Sequence, residues 1–115
     1  MTPFKRGDVV LVAFPFTDLT TTKMRPGLII SSDRFNKKSN DIVIAAITSQ
    51  ISKVLSEEDF HLSLIDQEHA GLPKASMIKL GKIVTLDQRL IRKKLGGIPE
   101  STLEKITNAL HEVLG

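Results

Sequence analysis

The sequence predicts a mainly β domain, a small and strongly bent antiparallel sheet or barrel with one C-terminal helix. Short β-branched runs recur through Leu86, divided by Pro, Gly and polar stretches. A lone Gly81 interrupts one of these runs, as a bulge or sharp bend in a small barrel does. Helical spacing is confined to the last segment, where Leu103, Ile106, Leu110, Val113 and Leu114 make one apolar stripe. Roughly five to seven short strands are expected.

The first strand is Asp8 to Phe14, launched by the turn Lys5–Arg6–Gly7–Asp8. It is almost wholly apolar without clean alternation, so both faces are expected to be covered, one by core and the other by a second subunit. Pro15 ends it, because proline cannot donate to a ladder. Phe16 to Met24 reads as a polar loop longer than a hairpin needs, the kind of loop that often carries function. Arg25 then stands before Pro26, which keeps it out of the helical region. Gly27 to Ser31 is the second strand, followed by a turn or short helical piece over Ser32–Asn36 with Asp33 as a local cap. Ile42 to Ile47 is the third strand, and it ends in Thr48–Ser49–Gln50, a row of hydroxyls and an amide at the sheet rim.

Ser52 to Asp59 reads as a polar connection, Phe60 to Leu64 as a half-buried alternating strand, and Asp66 to Pro73 as a loop. Ser76–Leu80 and Ile83–Leu86 are strands around Gly81. Asp87 to Lys94 fits either a short helical turn or a basic strand, stopped by Gly96–Gly97. Pro99 suits the first turn of the terminal helix, and Gly115 its end.

Composition narrows the function classes. A chain of 115 residues is the size of one domain, 1–115. It has no Cys, so disulfide and thiolate chemistry are excluded. Five Phe are the only aromatics, too few for an extended base-stacking platform. No apolar run approaches a membrane span, so no membrane partner is expected and the cytoplasm is the default location. The net charge of +3 says little by itself. Its distribution says more, because residues 1–41 and 74–94 each hold seven basic side chains and residues 56–69 are acidic. If the basic segments meet, they make a surface suited to phosphates; otherwise they are solvated surface.

His61, His69 and His111 have no metal-ligand spacing, and no phosphate-binding or dinucleotide fingerprint is present, so no cofactor is expected. His61 falls on the exposed side of its alternating strand and His111 on the helix surface, which leaves His69 as the one candidate for proton transfer. What remains is Arg25 with the hydroxyls of Thr48 and Ser49 and the neighbouring cations. A guanidinium grips phosphate through a planar fork and keeps its charge at any ordinary pH. A hydroxyl at 48 could donate to a second phosphate oxygen, and such a pair would stabilise charge on phosphorus. An arginine before a proline is also a common structural device.

The ordered set Arg6–Val12 with Phe14–Pro15, Arg25–Ser31, Ile47–Ser49, Gly71–Ser76, Ile83–Asp87, Leu90 and Leu95–Gly96 resembles the MazF/PemK family of toxin ribonucleases across essentially the whole chain. The resemblance implies a CcdB/PemK-type fold, an SH3-like barrel with a C-terminal helix, commonly a homodimer. It implies the toxin of a type II toxin–antitoxin pair, a metal-independent, sequence-specific endoribonuclease of single-stranded RNA. In that chemistry the RNA's 2′-hydroxyl attacks the adjacent phosphate and gives a 2′,3′-cyclic phosphate and a 5′-hydroxyl. Arg25 falls on the family's catalytic arginine and Thr48 on its catalytic hydroxyl residue. Phe16, Thr17, Lys23, Ser49, Gln50, Lys74, Ser76 and Lys79 are the RNA contacts it suggests. The loop Phe16 to Met24 varies in the family, where it helps read the bases. A separate antitoxin chain would cover it. Two other readings share the fold: a non-enzymatic toxin acting on DNA gyrase, and a barrel that binds RNA without cleaving it.

Overall fold

A computed structural model describes residues 4–14, 23–50 and 58–115. Its strands are β1 (Asp8–Phe14), β2 (Lys23–Ile29), β3 (Asp41–Thr48), β4 (Asp59–His61), β5 (Met77–Asp87) and β6 (Ile91–Gly97). The helices are α1 (Asp33–Lys38), α2 (Leu64–His69) and α3 (Glu100–Leu114). All strand pairs are antiparallel, in the order β4-β5-β3-β2-β1-β6. The expected mainly β architecture with a terminal helix is present, as a bent six-stranded sheet whose edges are β4 and β6.

The central strands are apolar all round because the sheet carries core on both faces. Val9, Leu28, Ala45 and Ile47 pack with Ile78, Leu80 and the α3 residues Ile106 and Leu110. Their chain neighbours Val10, Val12, Ile29, Ile44 and Ala46 form a second cluster with Ile42 and Leu86. Burying one such side chain contributes about 1.5–3 kcal/mol. β1 thus meets core on both faces inside one chain, through Val9 on one and Val10 and Val12 on the other, while Leu11 and Ala13 are half-buried. The Gly81 bend is real: the β3–β5 register shifts between Ala45, opposite Ile83, and Ala46, opposite Lys79.

Several boundaries differ from the sequence reading, each for a local reason. Ser32, not Asp33, caps α1, accepting from Phe35 N at 3.1 Å, while Asp33 accepts from Arg6 N. The strand at Phe60 is short because Ser63 caps α2, accepting from Asp66 N; the first half of the stretch read as a loop, from Asp66 to His69, is this helix. Asp87–Lys94 is both alternatives in turn, a single 3-10 turn over Gln88–Leu90 and then basic β6, which runs on through Gly97. Pro99 is the N-cap of α3, and Gly115 closes it with N donating to His111 O and a φ of 97°. Leu114, read into the apolar stripe, is exposed in the last turn.

Candidate functional site

β2 begins at Lys23, so Arg25 and Pro26 lie within a strand rather than at its entrance. Paired to β1 through Phe14–Lys23, β2 stays regular along its length. Its ladder to β3 stops at Gly27–Ala46. Ile30 N donates to Val43 O, so the even-numbered amides of β2 point at β3. The next in line after Leu28 is Pro26, which has no N–H to give. Carrying the same register two residues past Gly27 brings Arg25 opposite Thr48. Proline thus ends the pairing close to where Arg25 and Thr48 line the same clefts.

Two clefts open there, and Arg25, Ile47, Thr48 and Gln50 line both. The larger, of about 580 Å³, has an apolar floor of Leu11, Pro26, Ile47, Leu72 and Leu95, with Met24, Ser49, Lys74 and Lys93 around it. The smaller, of about 270 Å³, adds Ala46, Lys79 and Lys82. The two basic segments of the sequence do meet here, and among the described residues no Asp or Glu lines either cleft.

One wall of the larger cleft is Gly71–Ser76, and close backbone contact fixes it. A Cβ on Gly71 would lie 2.1 Å from Leu95 O, and Gly71 also has a φ of 71°. A Cβ on Gly96 would lie 2.2 Å from His69 O. Side chains at these positions would push the wall off β6. Thr102 Oγ1 donates to Asp66 Oδ2 at 2.8 Å and ties α2, which feeds this wall, to α3.

The hydroxyl of Thr48 is oriented by its own turn. Gln50 N donates to Thr48 Oγ1 at 3.1 Å, which leaves the Thr48 proton to donate into the clefts. Arg25 is exposed and Thr48 half-buried. Ser76 also lines the larger cleft, but it is buried and its hydroxyl donates to Lys74 O at 2.8 Å, so it shapes the wall. Lys79 lies 3.2 Å from Asp59 Oδ1. Phe16 and Thr17 lie outside the described residues; Lys23 starts β2. His69 lines neither cleft, and His61 and His111 are exposed, as expected.

Lys82, Lys93, Met24 and Leu95 are cleft residues that the sequence reading did not single out. Alternation could have found Lys93: Lys94 turns to Asp8 Oδ1 at 3.2 Å, and its neighbour must face the other way.

The fold and clefts are those of a small β domain with a basic, apolar-floored ligand site. The sequence profile of the PemK-like, MazF-like toxins of type II toxin–antitoxin systems matches residues 5–114. An endoribonuclease MazF of Staphylococcus epidermidis is 36% identical over 112 residues, covering 96% of this chain and 91% of that protein. The chain belongs to this toxin family. Among solved structures, an endoribonuclease in complex with its cognate antitoxin from Mycobacterial species superposes with a TM-score of 0.77 at 22% identity, over 96% of this chain and 94% of that one. MazF from Deinococcus radiodurans superposes with a TM-score of 0.72 at 22% identity, over 100% and 98%. At these identities the two structures speak for the fold.

Proposed function

We propose that this chain, as one domain over 1–115, is a metal-independent, sequence-specific endoribonuclease of single-stranded RNA. It works in the cytoplasm as a homodimer and is held in check by a cognate antitoxin. Membership of the toxin family and the name of the Staphylococcus epidermidis relative support the activity. One observation carries the chemistry: Arg25 and Thr48, from different strands, line both clefts together at the point where Pro26 ends the ladder.

The RNA supplies its own nucleophile. Its 2′-oxygen attacks the adjacent phosphorus, forming a P–O2′ bond while the P–O5′ bond breaks. The 2′-proton leaves to solvent, and the departing 5′-oxygen takes a proton from solvent. The products are a 2′,3′-cyclic phosphate and a 5′-hydroxyl. Negative charge grows on the non-bridging oxygens as the fifth bond forms. Arg25 meets it with a permanent positive charge and Thr48 with a donated hydrogen bond. Removing one donor of this kind costs about 10²–10³ in kcat. Lys74, Lys82 and Lys93 hold flanking phosphates, with Lys23, Ser49 and Gln50 as further contacts and Phe16 and Thr17 as base contacts from the loop.

The test is to incubate the purified protein with a long RNA in EDTA and map the ends. Cyclic phosphates and 5′-hydroxyls at a recurring short sequence are expected. Salt-sensitive binding without products would instead identify an RNA-binding barrel. Trapping of DNA gyrase without RNA cleavage would identify a gyrase poison.

A further inference from the structure

Lys79, which lines the smaller cleft, belongs to an ion pair that the cleavage chemistry does not use. Asp59 and Lys79 stand directly opposite each other in the β4–β5 register. Lys79 Nζ is 3.2 Å from Asp59 Oδ1, and their side chains are 27% and 4% exposed. Among the described residues, that buried oxygen accepts no directed hydrogen bond, so the ammonium is its one counterpart. A buried carboxylate without its cation is strongly unfavourable, which ties Lys79 to this spot. Lys74 and Lys93, across the larger cleft, meet no carboxylate among the described residues.

These two kinds of lysine suit different work. A phosphate needs a positive charge and tolerates a mobile one; it carries no sequence information. A base edge needs a donor in a fixed place, and net charge adds little. Lys79 has its charge already matched and its position set, and its ammonium carries three N–H donors.

We propose that Asp59 and Lys79 form one specificity-determining unit. The buried carboxylate positions the ammonium in the small cleft, where it reads a base bearing adjacent acceptors, as guanine does at O6 and N7. This rests on the ribonuclease reading above. Asp59 is the positioning residue and Lys79 the group that touches the base.

The experiment maps relative cutting rates along one long RNA for the unsubstituted protein, Lys79→Gln and the double variant Asp59→Leu/Lys79→Met. The double variant replaces a buried ion pair by apolar side chains, a change that is often neutral for folding. It is expected to cut still, with preference at one base position falling about tenfold, as loss of a good base contact does. Lys79→Gln is expected to move that preference toward adenine, which glutamine reads. Affinity for a 2′-O-methyl RNA carrying the mapped site should keep its salt dependence in the double variant. Lys93→Met should lower that slope by about 0.7. Unchanged relative cutting rates in both variants would overturn the proposal. A slope lowered as in Lys93→Met would also overturn it, by making Lys79 a phosphate contact. No cutting by the unsubstituted protein would overturn the ribonuclease reading and this one with it.

Discussion

The two ends of the β2–β3 strand pair are both polar, and they are built on opposite principles. At one end lies Asn36, a fully buried residue of α1. Ser31 Oγ donates to Asn36 Oδ1, Asn36 Nδ2 donates to Ser31 O, and Val43 N donates to Ser31 Oγ. Gln88 Nε2 reaches in from the turn after β5 and donates to Asn36 O at 2.9 Å and Ser39 O at 3.0 Å. Polar groups there satisfy one another. At the other end Pro26 stops the ladder, and Arg25 and the Thr48 proton face two clefts. Under the proposed function, donors that stay available at a strand end serve the substrate, and donors that satisfy one another serve stability.

The comparison can be broken by substituting each end in turn. Arg25→Ala should have the largest effect, lowering RNA cleavage about 10²–10³-fold, or roughly 2.7–4 kcal/mol of transition-state stabilisation, at unchanged thermal stability. Asn36→Ala should do the reverse. Leaving Ser31 and its neighbours without partners in a buried site should destabilise the fold by about 1–3 kcal/mol in urea unfolding, with cleavage per folded molecule kept. Thr48→Val keeps the shape and removes the donor; a loss of cleavage of about 10²-fold is expected, the low end of the range because a neutral donor is weaker than a charged one.

The smallest expected effect sharpens the boundary of the satisfied end. Asp87 lies below its ordinary 3.8 because Arg89's side chain and backbone N–H both bond to it. A depressed carboxyl stabilises the fold above its unfolded value, and that contribution fades as pH falls below about 4. Asp87→Asn should slightly flatten the acid limb of a thermal stability–pH profile and leave the neutral limb in place. The pair is exposed, so the change should be slight.

The strands β1 to β3 were legible because runs such as Val9–Val12 and Ile42–Ile47 cannot be soluble unless buried, and α3 because its stripe has one period. Helix α2 was not, since Leu64 and Ile65 are exposed and give it no apolar face to read. Arg25 and Thr48 could be singled out as residue types, yet what joins them is the absence of one amide at Pro26, visible only once the register is known. Asp59 and Asn36 escaped notice for a related reason. A buried polar residue looks like a surface one until its neighbours are in place.

The most direct test takes Arg25→Ala and Asn36→Ala side by side, measuring single-turnover cleavage of a long RNA in EDTA and the thermal midpoint of each. The account predicts that Arg25→Ala loses cleavage and keeps its midpoint, while Asn36→Ala keeps cleavage below its lowered midpoint. Cleavage by Arg25→Ala at the unsubstituted rate, or an equal loss of midpoint in both, would contradict it.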